Sequence, residues 1–382
     1  MALARGVRSN RSLDCYSVLM DQPAPLSVKA CKLRTDTCGA DADLHSNHLI
    51  GGDRALGYDN GATDQATWLA DLPDVAKTAV KGAWLRGDVL VVWGIDGAGS
   101  RLTAAVGDPV EGATGDIQVA DGAGLRQAGF ALISDCEQAD LFEIDTFSRQ
   151  ARANRLGHAG DVNASVALSR FYNFAGAFDD AAGGTTRPHY QARVFPFRYE
   201  VSFICCVDGE TGALQTGGNA GSDNCRIDPR RFRPSLCRYD VGAAPPLQAV
   251  VPDIADLRLT FSGEGDGALV PDFAADDIDP IPTAHWVSSR RDGRGAWSQV
   301  SGVKVEFLVA SFEDNLRTPE TAFLDLANKW PPSPDGDQNS IHPDRLGYDL
   351  LPAADDRPED RRLYQRFVTN LAIRSRTRWY LP

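Results

Sequence analysis

The run from Trp297 to Val309, WSQVSGVKVEFLV, constrains the fold more than any other stretch. It opens on an aromatic. It then sets Val303, Val305, Phe307 and Val309 against Lys304, Glu306 and Leu308. A period of two built from β-branched and aromatic residues predicts a strand with one face buried. Trp297, Val303, Val305 and Phe307 are the expected core residues. Arg193–Val207 alternates in the same way through Phe195, Phe197, Tyr199, Val201 and Phe203. The apolar run Gly87–Ile95 predicts a strand buried on both faces. Phe130–Ile133 and Leu141–Ile144 predict two more strands around a turn at Asp135–Ala139, and Ile254–Phe261 predicts a turn leading into a strand.

Few stretches favour a helix. Ala2–Leu19 carries weak face markers at Leu3, Val7 and Leu19, and Val166–Phe174 is a second short candidate. Arg361–Arg378 begins helix-like with arginines and becomes a closing strand at Thr369–Arg374. Residues 262–296 read as an acidic loop, and residues 310–360 as a long insert rich in Pro, Asp and Gly. The chain has 36 Gly and 22 Pro in 382 residues, a density that breaks helices and suits strands and long loops.

Charge narrows the classes of partner. The net charge is −13, so phosphate backbones and anionic membrane surfaces are repelled, and nucleic-acid binding is not expected. No apolar run approaches the roughly 18 residues that a membrane-spanning helix needs. Ala2–Asn10 lacks the apolar core of a signal peptide.

No catalytic residues stand out. There is no zinc-protease, nucleophile-elbow or phosphate-loop motif. Gly94, Gly97 and Gly99 follow a strand with the wrong spacing for a dinucleotide site. His45 and His48 near Cys38 read as loop residues rather than metal ligands. Asp335, Asp337 and Asn339 copy the first half of a calcium loop. Ser340 then replaces the turn glycine and Leu346 the bidentate glutamate, so a solvated loop is the expectation, and calcium is the one cofactor to consider.

The eight cysteines say more. Cys15, Cys31, Cys38, Cys136, Cys205, Cys206, Cys225 and Cys237 are even in number, form no C-x-x-C pair and sit mostly among polar residues. That usage predicts disulfides in an oxidising compartment. Cys205 and Cys206 are neighbours on a strand and point to opposite faces. Each therefore needs its own partner, and Cys225 and Cys237 are nearest.

Several segments together resemble the PilW family of type IV pilus minor pilins. They are Gly52–Gly61, Arg86–Gly94, Ser134–Phe142, Val251–Phe261, the Trp297, Val300, Val303, Val305 pattern and Leu371–Arg376. Their order and spacing match across about residues 50–378. The family's basic leader, Gly-Phe junction, following Glu and long apolar helix have no counterpart here. The resemblance then implies that residues 1–20 are the soluble remnant of the pilin helix, with its membrane half cut away. Residues 21–382 would form a pilin-like unit, and a break near 240–250 would divide it into two lobes.

The resemblance implies an α+β fold, with an N-terminal helix packed on antiparallel sheet and long disulfide-pinned loops. It implies a non-enzymatic subunit that primes pilus assembly. Its expected partners are other minor pilins, the major pilin and a large tip adhesin. Its expected place is the pilus tip or periplasm of a Gram-negative bacterium, anchored in the inner membrane before assembly. The 310–360 insert would touch a partner. A type II secretion pseudopilin is a close variant. A secreted surface- or carbohydrate-binding β-sandwich is the main rival, and would need exposed aromatics such as Trp84, Trp286 and Trp330 along one groove. A periplasmic hydrolase would need a pocket of convergent carboxylates or a Ser/His pair.

Overall fold

The computed structural model describes residues 26–33, 55–58, 72, 74–95, 99–106, 116–135, 139–150, 153–158, 160–164, 167–168, 172, 192–216, 225, 231–265, 268–273, 300–311 and 363–372. In chain order the strands are β1 (Leu26–Val28), β2 (Ala55–Tyr58), β3 (Trp84–Ile95), β4 (Ser100–Arg101), β5 (Ile117–Val119), β6 (Phe130–Ser134), β7 (Ala139–Glu143), β8 (Thr146–Arg149), β9 (Asn154–Gly157), β10 (Arg193–Asp208), β11 (Phe232–Asp240), β12 (Leu247–Pro252), β13 (Ile254–Gly265), β14 (Ala268–Phe273), β15 (Val300–Ala310) and β16 (Tyr364–Ala372). One α-helix, α1 (Asp74–Ala83), precedes β3.

The α+β expectation is corrected. The described residues are mostly antiparallel sheet, 63% strand with a single α-helix, against a typical strand share of about 20–25%. That helix lies between β2 and β3, not at the N-terminus; Ala2–Leu19 lies outside the described residues. Period-two patterning on long strands outweighs the weak helical markers. Of the helix expected at Val166–Phe174 only residues 167, 168 and 172 are described, none of them helical, and Tyr172 makes an antiparallel bridge to Val106. Within the expected acidic loop 262–296, β13 continues to Gly265 and pairs with β14 as a hairpin.

β10 is the spine of the nine-stranded sheet. One of its edges is shared by β6 and β11, the other by β4 and β3. Between the β4 and β3 pairings falls Pro196, whose missing N–H costs no ladder bond there. The strand's alternation sorts side chains between two cores. Phe195, Phe197, Tyr199, Val201 and Phe203 enter one, and Val194 enters the other. β6 splits likewise, Phe130 and Leu132 from Ala131 and Ile133, which explains its continuous apolar run. α1 closes the first core through Ala76, Val80 and Ala83, one stripe of a helix.

The second sheet runs β14-β13-β15-β16. The chain enters it directly from β12 through Asp253, which has φ 60°. Its inner row, Leu257, Leu259, Phe261, Val303 and Val305, belongs to the same core as Val89, Val91 and Val201.

The two sheets meet where β3 bulges away from β10 and lies along the free half of β13. Arg86 Nε donates to the Ala255 carbonyl at 2.8 Å, and Leu259 N–H donates to Asp88 Oδ2 at 2.7 Å. Gly87 sits between them at φ 71°. A side chain at Gly87 would collide with Asp256 Oδ1 and stand 3.0 Å from the Leu257 carbonyl oxygen. Gly87→Ala is expected to lower stability by about 1–3 kcal/mol through backbone strain and this collision. A urea titration checks it: the midpoint should fall while the slope stays constant.

Candidate interaction edge and its surroundings

β16 closes the second sheet. It pairs with β15 from Gly302↔Ala372 to Ala310↔Tyr364, and among the described residues no strand lies beyond it. The register defines rows of side chains across the sheet. One row runs Leu257, Phe307, Phe367, and another Phe261, Val303, Leu371. Along the first, exposure rises from 1% at Leu257 to 54% at Phe367; along the second it is 1%, 4% and 39%. The apolar face of the sheet therefore continues past the core that covers it. Val368, next to Phe367 and on the opposite face, is also exposed at 48%. An edge strand apolar on both faces is what a monomeric surface ordinarily avoids.

Backbone direction follows from two bonds. Ser311 N–H donates to the Leu363 carbonyl at 2.7 Å, and Ala310 N–H donates the other way, to the Asp253 carbonyl at 2.8 Å. Antiparallel ladders alternate, so Phe367, Thr369 and Leu371 bond to β15. The N–H and C=O groups of Arg366, Val368 and Asn370 point outward.

The row behind Val368 is charged. Arg366 Nη2 donates to Glu306 Oε1, and Lys304 Nζ lies 3.3 Å from the same oxygen. Burial pulls the Arg258 guanidinium below its ordinary pKa, while Asp256, Asp88 and Glu306 favour its charged form and Arg366 opposes it. These paired charges fix the polar face of the sheet beside the sheet junction.

The expected cysteines occupy a second built feature. Cys205 is bonded to Cys237 and Cys206 to Cys225, all four buried. Cys205 lies on the core face, across the β10–β11 ladder and one diagonal from Cys237; Cys206 ties the opposite face to the loop. The loop starts at Asp208, whose carboxylate accepts from Glu210 N–H at 2.9 Å, Thr211 N–H at 3.0 Å and Arg231 Nε at 3.1 Å. The Thr211 N–H is the largest cause, ahead of Glu210 N–H and the Arg231 guanidinium, and together they outweigh desolvation and hold this carboxyl at about 2. Cys31 is also disulfide-bonded, while Cys15, Cys38 and Cys136 lie outside the described residues.

Among the expected core residues, Val303 and Val305 are buried and Phe307 packs against the same cluster; Trp297 lies outside the described residues. So do Asp335, Asp337 and Asn339, His45 and His48, and nearly all of the 310–360 insert. Among the described residues no three His, Cys, Asp or Glu side chains gather as a metal-holding group, and no helix is long and apolar enough to cross a membrane. Trp84 does not line an open groove: it packs against the core and donates to the Gly87 carbonyl at 3.1 Å. Trp286 and Trp330 lie outside the described residues. Alternation predicts β16 only from Thr369 onward, so Phe367 and Val368 escape notice; their adjacency within a strand is the signal that would have found them. Comparison of the chain with protein-family models, with curated proteins and with solved structures gives no match in any of the three.

Two outcomes follow. Phe367→Ser should change folding stability by no more than about 0.5 kcal/mol, whereas Leu257→Ala in the same row should cost about 2–5 kcal/mol; parallel denaturant curves check the contrast. A depressed carboxyl stabilises the fold above its unfolded pKa near 3.9 and loses that contribution as pH falls towards about 2. Asp208→Asn should therefore flatten the fall in thermal midpoint between about pH 4 and 2 and lower the midpoint at neutral pH.

Proposed function

We propose that this chain is a non-enzymatic assembly subunit, of the minor-pilin kind its sequence resembles, and that it acts by docking partner proteins. The observation that supports this most is the edge at β16: a strand apolar on both faces that, among the described residues, is paired on one side alone. Such an edge carries affinity through main-chain bonds and specificity through alternate side chains. The buried Cys205–Cys237 and Cys206–Cys225 bonds suit an oxidising compartment such as the periplasm or a cell-surface fibre.

On this proposal the subunit primes pilus assembly and sits at the tip with other minor pilins, the major pilin and a large adhesin. Before assembly an N-terminal segment would hold it at the inner membrane. A type II secretion pseudopilin would present the same edge.

The test uses the full native protein carrying an epitope tag in its own host. Sheared surface fibres are collected, and the chain should co-purify with minor pilins at the tip. Deletion of the gene should reduce fibre number. Recovery of the tagged chain apart from fibres, with fibre number unchanged on deletion, would overturn the proposal.

A further inference from the structure

We infer that Arg101 of β4 and Arg193 of β10 form a site for a small oxyanion, a carboxylate or phosphate group held between two guanidiniums. The site lies on the nine-stranded sheet rather than on that of β16, and it stands independently of the docking role proposed above.

The register carries it first. Arg101 and Arg193 are directly opposite in the antiparallel β4–β10 pair, where Cβ atoms lie about 4.5–5.5 Å apart. Like charges so placed destabilise a strand pair. The backbone holds them there. β10 takes one edge of β4; on the other, Ala120 N–H donates to the Arg101 carbonyl at 2.9 Å and Leu102 bridges Val119. The Asp121 carboxylate, next along that segment, accepts from the Ala123 N–H at 3.0 Å. Across the sheet the row continues from Arg193 through Ser134 and Ala139 to Leu26 and holds no carboxylate. The surroundings of Arg193 disfavour its charge: burial pulls the guanidinium below its ordinary pKa, and the charge of Arg101 pulls it further.

That arrangement selects the ligand. A guanidinium presents its donors as a planar fork that matches two oxygens of a carboxylate or phosphate. An anion between two forks turns their mutual repulsion into a shared attraction. Arg101 is exposed and Arg193 half-buried, so the pair is reachable from solvent. The chain as a whole carries −13 and repels anions, so an oxyanion that binds does so locally, against the general field.

The test is calorimetric titration of the full chain with inorganic phosphate, and separately with succinate, in chloride buffer of constant ionic strength. At least one of the two should bind once per chain with a Kd of about 1 mM, and the one that binds names the group taken. Arg101→Gln should weaken binding about tenfold or more. In chloride alone its thermal midpoint should hold or rise, because a like-charged neighbour is gone. Arg193→Gln should weaken binding as much, and Arg149→Gln, at an exposed arginine on β8, should bind as the wild type does.

Absence of heat from both anions at roughly ten times that concentration would overturn the inference. So would wild-type affinity in Arg101→Gln, or an equal loss in Arg149→Gln, which would trace binding to diffuse charge. A lower midpoint for Arg101→Gln in chloride alone would overturn it as well, since Arg101 would then be a structural residue.

Discussion

The contact between β3 and β13 holds the architecture together. It is not a ladder. Arg86 and Asp88 bond, side chain to main chain, with the free half of β13, and Gly87 has no side chain so that the two backbones can close. Besides this join, the second sheet is tied to the first by the direct β12–β13 connection through Asp253, by the Arg233–Asp253 ion pair and by apolar contact. With it, Leu257 and Leu259 are held at one height against Val89, Val91 and Val201 in a shared core. Everything beyond β13, including β15 and β16, takes its position from that seam.

A fixed seam on one side explains an open one on the other. Apolar rows begin at β13, where the core is deep, and run outward through β15 to β16, where it ends. On the opposite face Leu308, Ala310 and Tyr364 are buried, and beside them Glu306 pairs with Arg366 and Lys304. Such pairs on a half-exposed face contribute little to stability; here they also set which way Arg366 leans, away from the open backbone.

Much of the strand pattern was legible in the chain. β10 and β15 follow the alternation of Phe195–Phe203 and Val303–Val309 closely, because each has one face on a deep core. The vicinal cysteines were legible for the same reason, since a strand must send them to opposite faces. What escaped is instructive. β14 contains Pro271, which reads as a breaker and is tolerated where the β13–β14 register shifts, on a strand that is an edge among the described residues. α1 is ten residues long, too short for its stripe to stand out. The opening of β16 reads as helical because both its faces carry apolar residues, which erases the period of two. The β3–β13 seam has no local signature, since its partners lie 169 and 171 residues apart.

The paired cysteines of β10 have a consequence for how the chain matures. A slip of one residue between β10 and β11 would turn Cys205 outward and Cys206 inward, exchanging their partners. Bonds of Cys205 to Cys237 and Cys206 to Cys225 therefore form together only when the hairpin is threaded correctly. Oxidation can act here as proofreading: a misthreaded hairpin is written into the covalent structure as the wrong pair of bonds, open to thiol–disulfide exchange.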